Sequence, residues 1–239
     1  MNPFILIPTY NERENIASLI NEILRLKIKN LNIAVVDDNS PDRTWEIVEK
    51  LSRKNKNIHI LRRMKNRGRG AAGKDGFIYC LDKNAGIIVE MDADFSHDPR
   101  YIPQMIKELK NADIVLGSRR VKGSKEIGRG MIRRIITLGA NLYIRLMLGI
   151  KVRDCNSGFR AFSRKAMEKI NPKTLESKGP AIVQEVLFRA HLKGLKIKEI
   201  PITFINRKKG KSKLGIRQLA MGYWMVSRLK MLHLMGRLR

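Results

Sequence analysis

The chain has 239 residues, which is enough for one large domain with a full hydrophobic core. It contains 49 Lys and Arg against 22 Asp and Glu, so its formal net charge is +27. A field of this size favours nucleic acid, anionic lipid headgroups or phosphorylated substrates, and it does not select among the three. A lysine-rich proteome, as in many thermophiles, would also raise the charge without any anionic partner.

Cysteine content and hydropathy further restrict the possible classes of protein. Cys80 and Cys155 are far apart and have no histidine pair near them, which argues against a zinc site or a disulfide framework. They indicate reduced thiols in a cytosolic protein. The first residues lack a basic leader, and no uncharged run reaches the roughly 20 residues that span a bilayer. The sequence therefore predicts a soluble globule without a membrane-spanning anchor.

Apolar runs alternate with amphipathic stretches over the first half of the chain. Strands are predicted at residues 4–8, 33–37, 58–61, 87–91 and 114–117, and helices at residues 16–24, 45–51, 68–81 and 99–110. This alternation predicts a parallel sheet with right-handed crossovers. Polar residues gather directly after strands one, two, four and five, at the edge where open α/β sheets bind ligands.

A glycine-rich turn at residues 68–74 matches the dinucleotide fingerprint and nearly matches a P-loop. Both fingerprints belong after the first strand of their unit, whereas this turn follows the third predicted strand. Asp75 also stands where a P-loop requires a hydroxyl group for Mg²⁺. We therefore expect a tight helix-entry turn that carries the basic residues Arg67, Arg69 and Lys74.

Two carboxylates, Asp92 and Asp94, follow the fourth predicted strand. On an extended chain they would point to opposite faces, so they chelate one ion only if the chain bends at Ala93. Carboxylate oxygens suit Mg²⁺ or Mn²⁺, which share their ligand shell with substrate phosphates. An isolated pair of this kind is more often a solvated acidic turn, and the remainder of the chain must decide between the two interpretations.

The second half of the chain changes character. Residues 131–148 predict a helix with a broad apolar face and a narrow polar stripe formed by Arg133, Thr137, Asn141 and Arg145. Such a helix is either core with a functional polar seam or lies in a membrane interface. Residues 153–162 predict a site loop that enters a strand, and residues 181–192 predict a helix. Residues 196–204 predict a strand whose Pro201 suggests an edge.

The last part of the chain is basic. No acidic residue follows residue 200, whereas ten Lys and Arg do. A basic loop at residues 207–213 precedes a predicted helix at residues 214–238 that is rich in Met and contains a Tyr-Trp pair. This helix suits either a lipid headgroup layer or burial against a partner. We expect a catalytic domain over residues 1–214 and a basic amphipathic helix over residues 215–239.

Six short motifs are spread along the chain. They are Pro-Thr-Tyr-Asn-Glu at residues 8–12, Asp-Asp-Asn-Ser-Pro-Asp at 37–42, Asp-Ala-Asp-Phe-Ser-His at 92–97, Gly-Ser-Arg at 117–119, Ser-Gly-Phe-Arg-Ala-Phe at 157–162, and the basic residues 207–213. In these motifs the chain resembles the family 2 glycosyltransferases of GT-A fold, and more narrowly the dolichol-phosphate mannose synthases. The resemblance implies an α/β fold with a mostly parallel sheet flanked by helices, and C-terminal amphipathic interface helices.

The resemblance also implies an activity and its residues. The activity is inverting transfer of mannose from GDP-mannose to dolichyl or another polyprenyl phosphate, with a donor half at residues 1–119 and an acceptor half at residues 120–214. Donor-nucleotide contacts are implied for Pro8, Tyr10, Glu12, Asp38, Asp92 and Ala93. Mg²⁺ or Mn²⁺ would be held by Asp94 and Ser96, catalysis is implied for Asp94 and Arg119, and phosphate or acceptor contacts for Arg133, Thr137, Arg207 and Lys213.

The chemistry is consistent with this assignment. A phosphate acceptor is already anionic near neutral pH, so it needs no general base. It does need cationic groups, because two polyanions must be brought together. We expect peripheral attachment to an anionic membrane surface at its cytoplasmic face, with a small membrane-anchoring subunit as the alternative.

Other activities remain open from the sequence. Arg120 stands where relatives commonly have an aromatic residue, so UDP-glucose or another sugar nucleotide is an alternative donor. A nucleic-acid-binding protein is a distant alternative, since the chain lacks zinc spacing, a helix-turn-helix and aromatic residues on a basic strand. We therefore expect no nucleic-acid partner.

Overall fold

The computed structural model describes residues 2–206 and 216–238, without the side chains of residues 216–219. The described strands are β1 (Pro3–Thr9), β2 (Asn32–Asp37), β3 (Ile58–Arg62), β4 (Ile87–Glu90), β5 (Ile114–Ser118), β6 (Lys125–Ile127), β7 (Arg160–Ser163), β8 (Ile197–Pro201) and β9 (Thr203–Ile205). The described α-helices are α1 (Ile16–Arg25), α2 (Thr44–Lys54), α3 (Arg69–Asp82), α4 (Ile102–Glu108), α5 (Met131–Leu148), α6 (Arg164–Ile170), α7 (Ile182–Leu192) and α8 (Ile216–Leu234).

The main sheet has seven strands in the order β3-β2-β1-β4-β7-β5-β8. All neighbouring pairs are parallel except those of β7, which is antiparallel to both β4 and β5. The predicted mostly parallel sheet is thus confirmed. The strand order reverses between β1 and β4, and ligands of open α/β sheets bind outside the carboxyl ends of the strands at such a point.

Helices cover both faces of this sheet, which explains why its strands are apolar on both sides. Phe4 and Leu6 of β1 pack into one buried cluster with Phe77 of α3. The alternate residues Ile5 and Ile7 pack into a second cluster that includes the apolar face of α1. The amphipathic and fully apolar patterns of the first half of the chain follow from this two-sided burial.

The glycine-rich turn begins α3 and packs against another part of the chain. A Cβ on Gly70 would overlap the carbonyl oxygen of Ser177, and the backbone N–H of Gly70 donates to the carbonyl of Lys178 at 2.9 Å. Lys74 Nζ donates to the carbonyl of Leu175 at 2.9 Å. The glycines here permit close approach of two backbones, as the interpretation as a helix-entry turn requires.

Short elements account for most differences from the predicted pattern. The helix predicted at residues 99–110 is a 3₁₀ turn, Pro99–Tyr101, followed by α4. The strand predicted at residues 196–204 breaks at Ile202 into β8, which is an edge strand, and β9, which pairs in parallel with β6 in a small second sheet. The strand β6 and the helix α6 were not predicted, because three and seven residues are too few to show a period.

Helices α5 and α8 lie side by side. Tyr143 of α5 stacks edge-on against Tyr223 of α8 with ring centroids 4.9 Å apart, and its hydroxyl group lies 2.7 Å from that of Ser227. None of the helices in the described part of the chain is both long and apolar enough to cross a bilayer.

A buried ion pair between Glu90 and Arg160 connects two neighbouring strands of the main sheet. The two residues are register partners on β4 and β7, both side chains are fully buried, and Arg160 Nε donates to Glu90 Oε2 at 2.9 Å. Arg69 Nη1 donates to the other carboxylate oxygen at 2.8 Å. Burial by itself would raise the pKa of Glu90, but the two guanidinium groups outweigh burial and hold the pKa below its usual value. Glu90 is therefore ionised and joins three elements.

Replacement of Glu90 should show the cost of breaking this pair. Glu90→Gln leaves the buried guanidinium of Arg160 without its counter-ion, so we expect the free energy of unfolding to fall by about 3–5 kcal/mol. The matched control is Glu168→Gln, which breaks the half-exposed pair of Glu168 with Arg164 and should cost under about 1 kcal/mol. Urea denaturation measures both, and equal losses would contradict the assignment.

Candidate active site

The loops after β1 and β2 form one side of the site and are tied together. Asp37 is fully buried and accepts hydrogen bonds from Thr9 Oγ1 at 2.8 Å and from the backbone and hydroxyl of Ser40 at 2.8 and 2.7 Å. Pro8 is buried within β1, whereas Tyr10 is 39% exposed. Glu12 Oε2 accepts from Asn15 Nδ2 at 2.8 Å. Of the predicted donor residues in this loop, Tyr10 is therefore the most exposed.

Asp38 is engaged with protein partners. Its side chain is buried, one carboxylate oxygen pairs with Arg63 Nη1, and the other accepts from the backbone N–H of Gly68 at 2.7 Å. Arg63 also contacts Asp75 at 2.7 Å. In this arrangement Asp38 connects β2 to the entry of α3. Its predicted nucleotide contact stays a prediction, and the structure adds a local structural role.

An open cavity of about 460 Å³ lies beside Tyr10. On its wall the guanidinium group of Arg62 lies 3.5 Å from the centre of the Trp45 ring, and Arg62 Nε donates to Asn39 Oδ1 at 2.7 Å. A flat aromatic–guanidinium surface of this kind can stack a planar group. The cavity therefore has the size and the lining for a nucleobase.

The chain bends sharply after β4, as chelation by the carboxylate pair requires. Phe95 has φ of 59°, and Asp94 Oδ1 accepts from the backbone N–H of Ser96 at 3.1 Å. The side chain of Asp92 is 41% exposed and lies 3.4 Å from Arg69 Nη2. Asp94 and Ser96 are buried. The predicted metal and donor residues thus share one turn at the carboxyl end of β4.

These residues fit a divalent cation that is shared with a ligand. The described residues contain no group of three or more His, Cys, Asp and Glu that could hold a metal alone. Mg²⁺ in nucleotide sites typically uses one or two carboxylates together with substrate phosphates. The predicted metal ligands, Asp94 and the Ser96 hydroxyl, form a set of that type, with the carboxylate of Asp92 on the same turn for the donor.

The side chain of His97, which follows the carboxylate turn, is buried. Its ring stacks on Phe159 at 5.1 Å and meets Phe204 edge-on at 5.8 Å, and its Nδ1 accepts from the backbone N–H of Asp92 at 3.3 Å. Burial lowers the pKa of His97 from its usual 6.5, against the opposing effect of Asp92 and Asp94. A neutral imidazole with its proton on Nε2 satisfies this geometry.

Arg119 directly follows β5 and also contacts the Phe204 ring, with its guanidinium carbon 5.1 Å from the ring centre. Its Nε and Nη2 each donate to the carboxylate of Asp154 at 2.7 Å. Burial alone would raise the pKa of Asp154, but this paired guanidinium holds it below the usual range. Asp154 thus orients Arg119, and the loop that carries it lies beside the carboxylates.

Gly158 in the same loop meets the exposed carboxylate closely. A Cβ at Gly158 would lie 3.2 Å from Asp92 Oδ2, which is tighter than ordinary van der Waals contact. Ser157 Oγ donates to the carbonyl of Gly117 at 2.6 Å and ties the loop to β5. The motif at residues 157–162 therefore supplies backbone proximity to Asp92 and the buried Arg160.

The predicted acceptor residues are only partly brought together. Thr137 Oγ1 accepts from Arg129 Nη2 at 2.6 Å, whereas Arg133 is exposed to solvent on the first turn of α5. Arg207 and Lys213 lie outside the described residues. Arg129 and its carboxylate partner Glu126, at 2.9 Å, were missed by the sequence analysis, as were the roles of Arg69 and His97. No sequence period marks these side chains, because they meet only through the fold.

The family model described as Glycosyl transferase family 2 matches residues 4–171. An undecaprenyl-phosphate mannosyltransferase of Micrococcus luteus is 36% identical over 215 residues, covering 90% of this chain and 88% of that protein. A polyprenol monophosphomannose synthase of Mycolicibacterium smegmatis is 35% identical over 213 residues, covering 88% and 80%. A dolichol-phosphate mannosyltransferase of Pyrococcus furiosus is 40% identical over 219 residues, covering 90% of this chain and 59% of that longer protein.

Solved structures share the fold. Glucosyl-3-phosphoglycerate synthase from Mycobacterium tuberculosis in complex with uridine diphosphate superposes with a TM-score of 0.67 at 18% identity, covering 98% of this chain and 80% of that chain. The complex of that enzyme with Mn²⁺, UDP-glucose and glycerol 3-phosphate gives a TM-score of 0.65 at 18% identity, covering 99% and 80%. At this identity the likeness concerns the fold alone, and the predicted GT-A fold is confirmed.

The burial of His97 has a measurable consequence for stability. Its pKa is 6.5 in the unfolded chain and lower in the folded protein, so on acidification the unfolded chain takes up the proton first. Stability from this group is therefore complete above about pH 6.5 and is lost below it, by at most about 1.4 kcal/mol per pH unit. His97→Asn keeps an acceptor near Nδ1 but cannot titrate. Urea denaturation at pH 7.5 and 5.5 should show a larger acid loss in the wild type, and parallel losses would refute the neutral imidazole.

Proposed function

Because the chain belongs to glycosyl transferase family 2, we propose that it transfers mannose from GDP-mannose to the phosphate of dolichyl or another polyprenyl phosphate. Three relatives at 35–40% identity are named for mannosyl transfer or mannose-phosphate synthesis on polyprenyl carriers, which supports both the sugar and the class of acceptor. Guanosine is the finer part of the proposal and rests on the motifs around Tyr10 and Asp38. Residues 1–119 are proposed as the donor half and residues 120–214 as the acceptor half.

The observation that carries the proposal is the carboxylate turn of Asp92 and Asp94 at the carboxyl end of β4, with Arg69 in contact with Asp92. The guanidinium group of Arg119 contacts the ring of Phe204, and the same ring contacts the imidazole of His97 at the end of the turn. A sugar that leaves a nucleoside diphosphate transfers negative charge to the diphosphate, which must be stabilised. Carboxylates that share a cation, with arginine beside them, provide this stabilisation.

Mg²⁺ or Mn²⁺ held by Asp94 and Ser96 would neutralise the diphosphate as it leaves. Asp92, restrained by Arg69 and Gly158, orients the donor, and the ring of Tyr10 contacts the nucleoside. Arg119, fixed by Asp154, faces the phosphates. The acceptor phosphate is the nucleophile and is already ionised, so the chain positions it, excludes water and removes no proton. A structural neighbour in complex with Mn²⁺ and UDP-glucose is consistent with this metal chemistry.

Membrane contact is proposed through α5 and α8. Both helices expose apolar side chains to solvent, among them Met131, Ile132, Ile135, Leu142, Leu146, Met221, Trp224, Met231 and Leu234. An exposed apolar surface rimmed by basic residues suits an anionic lipid surface. Of the two interpretations of α5 open from the sequence, its exposed first turns favour the interface.

The first test of the proposal is a substrate screen with the purified chain. GDP-mannose, UDP-glucose and UDP-GlcNAc are each supplied with dolichyl phosphate and Mg²⁺ or Mn²⁺, and labelled lipid product is measured. The proposal predicts product from GDP-mannose. Product from UDP-glucose alone would establish the alternative donor.

A single substitution tests the role of the carboxylate turn. Asp94→Asn removes a charged oxygen ligand, so we expect transfer to fall by at least about a hundredfold while the melting temperature stays close to that of the wild type. The control is Asp82→Asn, at the exposed end of α3. EDTA should stop the wild type, and added Mn²⁺ should restore it. Full activity in EDTA would remove the metal from the mechanism.

Vesicle co-sedimentation tests the membrane proposal. Basic residues near an anionic leaflet contribute about 1 kcal/mol each and are screened by salt, whereas apolar insertion is not. We expect binding to anionic vesicles that weakens at high salt and is reduced further by Ile132→Asp. The control is Met64→Asp, which adds a charge at an exposed apolar residue that belongs to neither helix. If the wild type stays in the supernatant with anionic lipid at low salt, a membrane-anchoring partner becomes the better explanation.

A further inference from the structure

Three arginines from three segments converge on one glutamate. Glu126 of β6 lies 2.9 Å from Arg129 Nη1, 3.5 Å from Arg120 Nη2 and 3.6 Å from Arg134 Nε. Arg120 follows β5, Arg129 precedes α5, and Arg134 lies on the first turns of α5. The side chain of Glu126 is only 6% exposed. We call these four residues the arginine cluster.

The arginine cluster has more cations than anions. Three guanidinium groups surround one carboxylate, which leaves a net charge of +2. The neighbouring Arg119 does not change this balance, because Asp154 already pairs with it. Burial, followed by the nearby guanidinium of Arg119, lowers the pKa of Arg129 below its usual range. Binding of an anion stabilises cations that are crowded in this way.

One donor of the cluster also lacks an acceptor. The Nε of Arg120 is buried and makes no hydrogen bond within the part of the chain that the structure describes. Buried polar atoms are rarely left in this state, and those that are call for an explanation, such as a bound ion. A phosphate oxygen would satisfy it.

We propose that Arg120 and Arg129 bind the phosphate monoester of the acceptor, and that Glu126 is an internal counter-ion that holds these arginines in place before the phosphate enters. This inference rests on the proposed function and names the residues of its acceptor site. A phosphate monoester carries about −1.5 to −2 charges near neutral pH, which matches the surplus of the cluster. Arginine forks also bind phosphate oxygens in pairs.

The position of the cluster favours the acceptor over the donor diphosphate. Arg129 Nη2 donates to Thr137 Oγ1 at 2.6 Å, and Arg134 Nη2 donates to the carbonyl of Glu126 at 2.7 Å, so the cluster is built onto α5. The same turns of α5 expose Ile132 and Ile135. A lipid whose tail contacts this apolar surface would therefore have its phosphate next to the cluster.

Binding of a short lipid phosphate tests the inference. Farnesyl phosphate, farnesol and GDP are titrated calorimetrically against the wild type, Arg129→Gln and Arg120→Gln at constant ionic strength. We expect each substitution to weaken farnesyl phosphate about ten- to a hundredfold, with GDP changed less than about twofold. The control is Arg145→Gln, which removes an exposed arginine from the far end of α5 and should leave both dissociation constants unchanged.

Glu126→Gln should change the affinity for farnesyl phosphate in the opposite direction. Glutamine keeps an oxygen that can hold the arginines in place but removes the negative charge, so farnesyl phosphate should bind several-fold more tightly. Weaker binding would contradict the role of Glu126 as a counter-ion that competes with the phosphate. Circular dichroism establishes which variants are folded. If Glu126→Gln does not fold, Arg129→Lys replaces it, because lysine keeps the charge without the fork and should lie between Arg129→Gln and the wild type.

The outcomes separate the inference from the proposed function. Wild-type affinity for farnesyl phosphate in both arginine variants would overturn the inference while the transferase activity stands. Equal weakening of GDP and farnesyl phosphate would assign the cluster to the donor diphosphate. A wild type that binds neither farnesyl phosphate nor farnesol would overturn the inference and the lipid acceptor together.

Discussion

The site depends on the buried ion pair between Glu90 and Arg160. These residues are register partners, so their pairing joins β4 to the one antiparallel strand of the main sheet. Arg69 binds the other oxygen of Glu90 and then reaches Asp92, which couples the entry of α3 to the carboxylate turn. Two charges buried this deeply are costly to desolvate, and a hydrophobic pair would often be as stable. What the ion pair provides is orientation, because the network of Glu90, Arg160 and Arg69 restrains the side chain of Asp92.

A second buried ion pair, between Arg119 and Asp154, lies at the end of β5. Arg119 is held by Asp154 through two hydrogen bonds, and the backbone N–H of Asp154 donates in turn to the carboxylate of Glu199 on β8 at 3.0 Å. Charges that are paired inside the protein are oriented for direct contact with a ligand, but their fields largely cancel at longer range. The electrostatic attraction available to a polyanionic ligand therefore comes from places where the pairing is unequal, and the cluster around Glu126 is such a place. A net charge of +27 is informative only when it is resolved in this way.

Long periodic segments were predictable from the sequence, and contacts between distant segments were not. The strands β1 to β5 and the helix α5 match their predicted positions, because two-sided burial and helical spacing leave strong patterns. The antiparallel position of β7 was not predictable, since Arg160 breaks the apolar run of a four-residue strand and finds its partner 70 residues away. The place of Asp92 and Asp94 just after β4 was predictable, whereas their roles stay a prediction. The partners of Asp38, the neutral imidazole of His97 and the arginines around Glu126 depend on side chains that only the fold brings together.

Under the proposed function, lipid contact and chemistry meet at helix α5. Its exposed apolar residues suit a membrane surface, whereas Asn141 on the same helix is buried and accepts from the backbone of Cys155 and the side chain of Asn156. Asn156 in turn accepts from Gln184 of α7 at 2.7 Å, so amide groups tie α5 to the loop that carries Asp154 and Gly158. A polyprenyl phosphate presents its charge at headgroup level while its tail stays in the bilayer. A helix that lies at that level and is fixed to the catalytic loop can position the phosphate without extracting the lipid. This avoids the large hydrophobic cost of moving an isoprenoid chain into water.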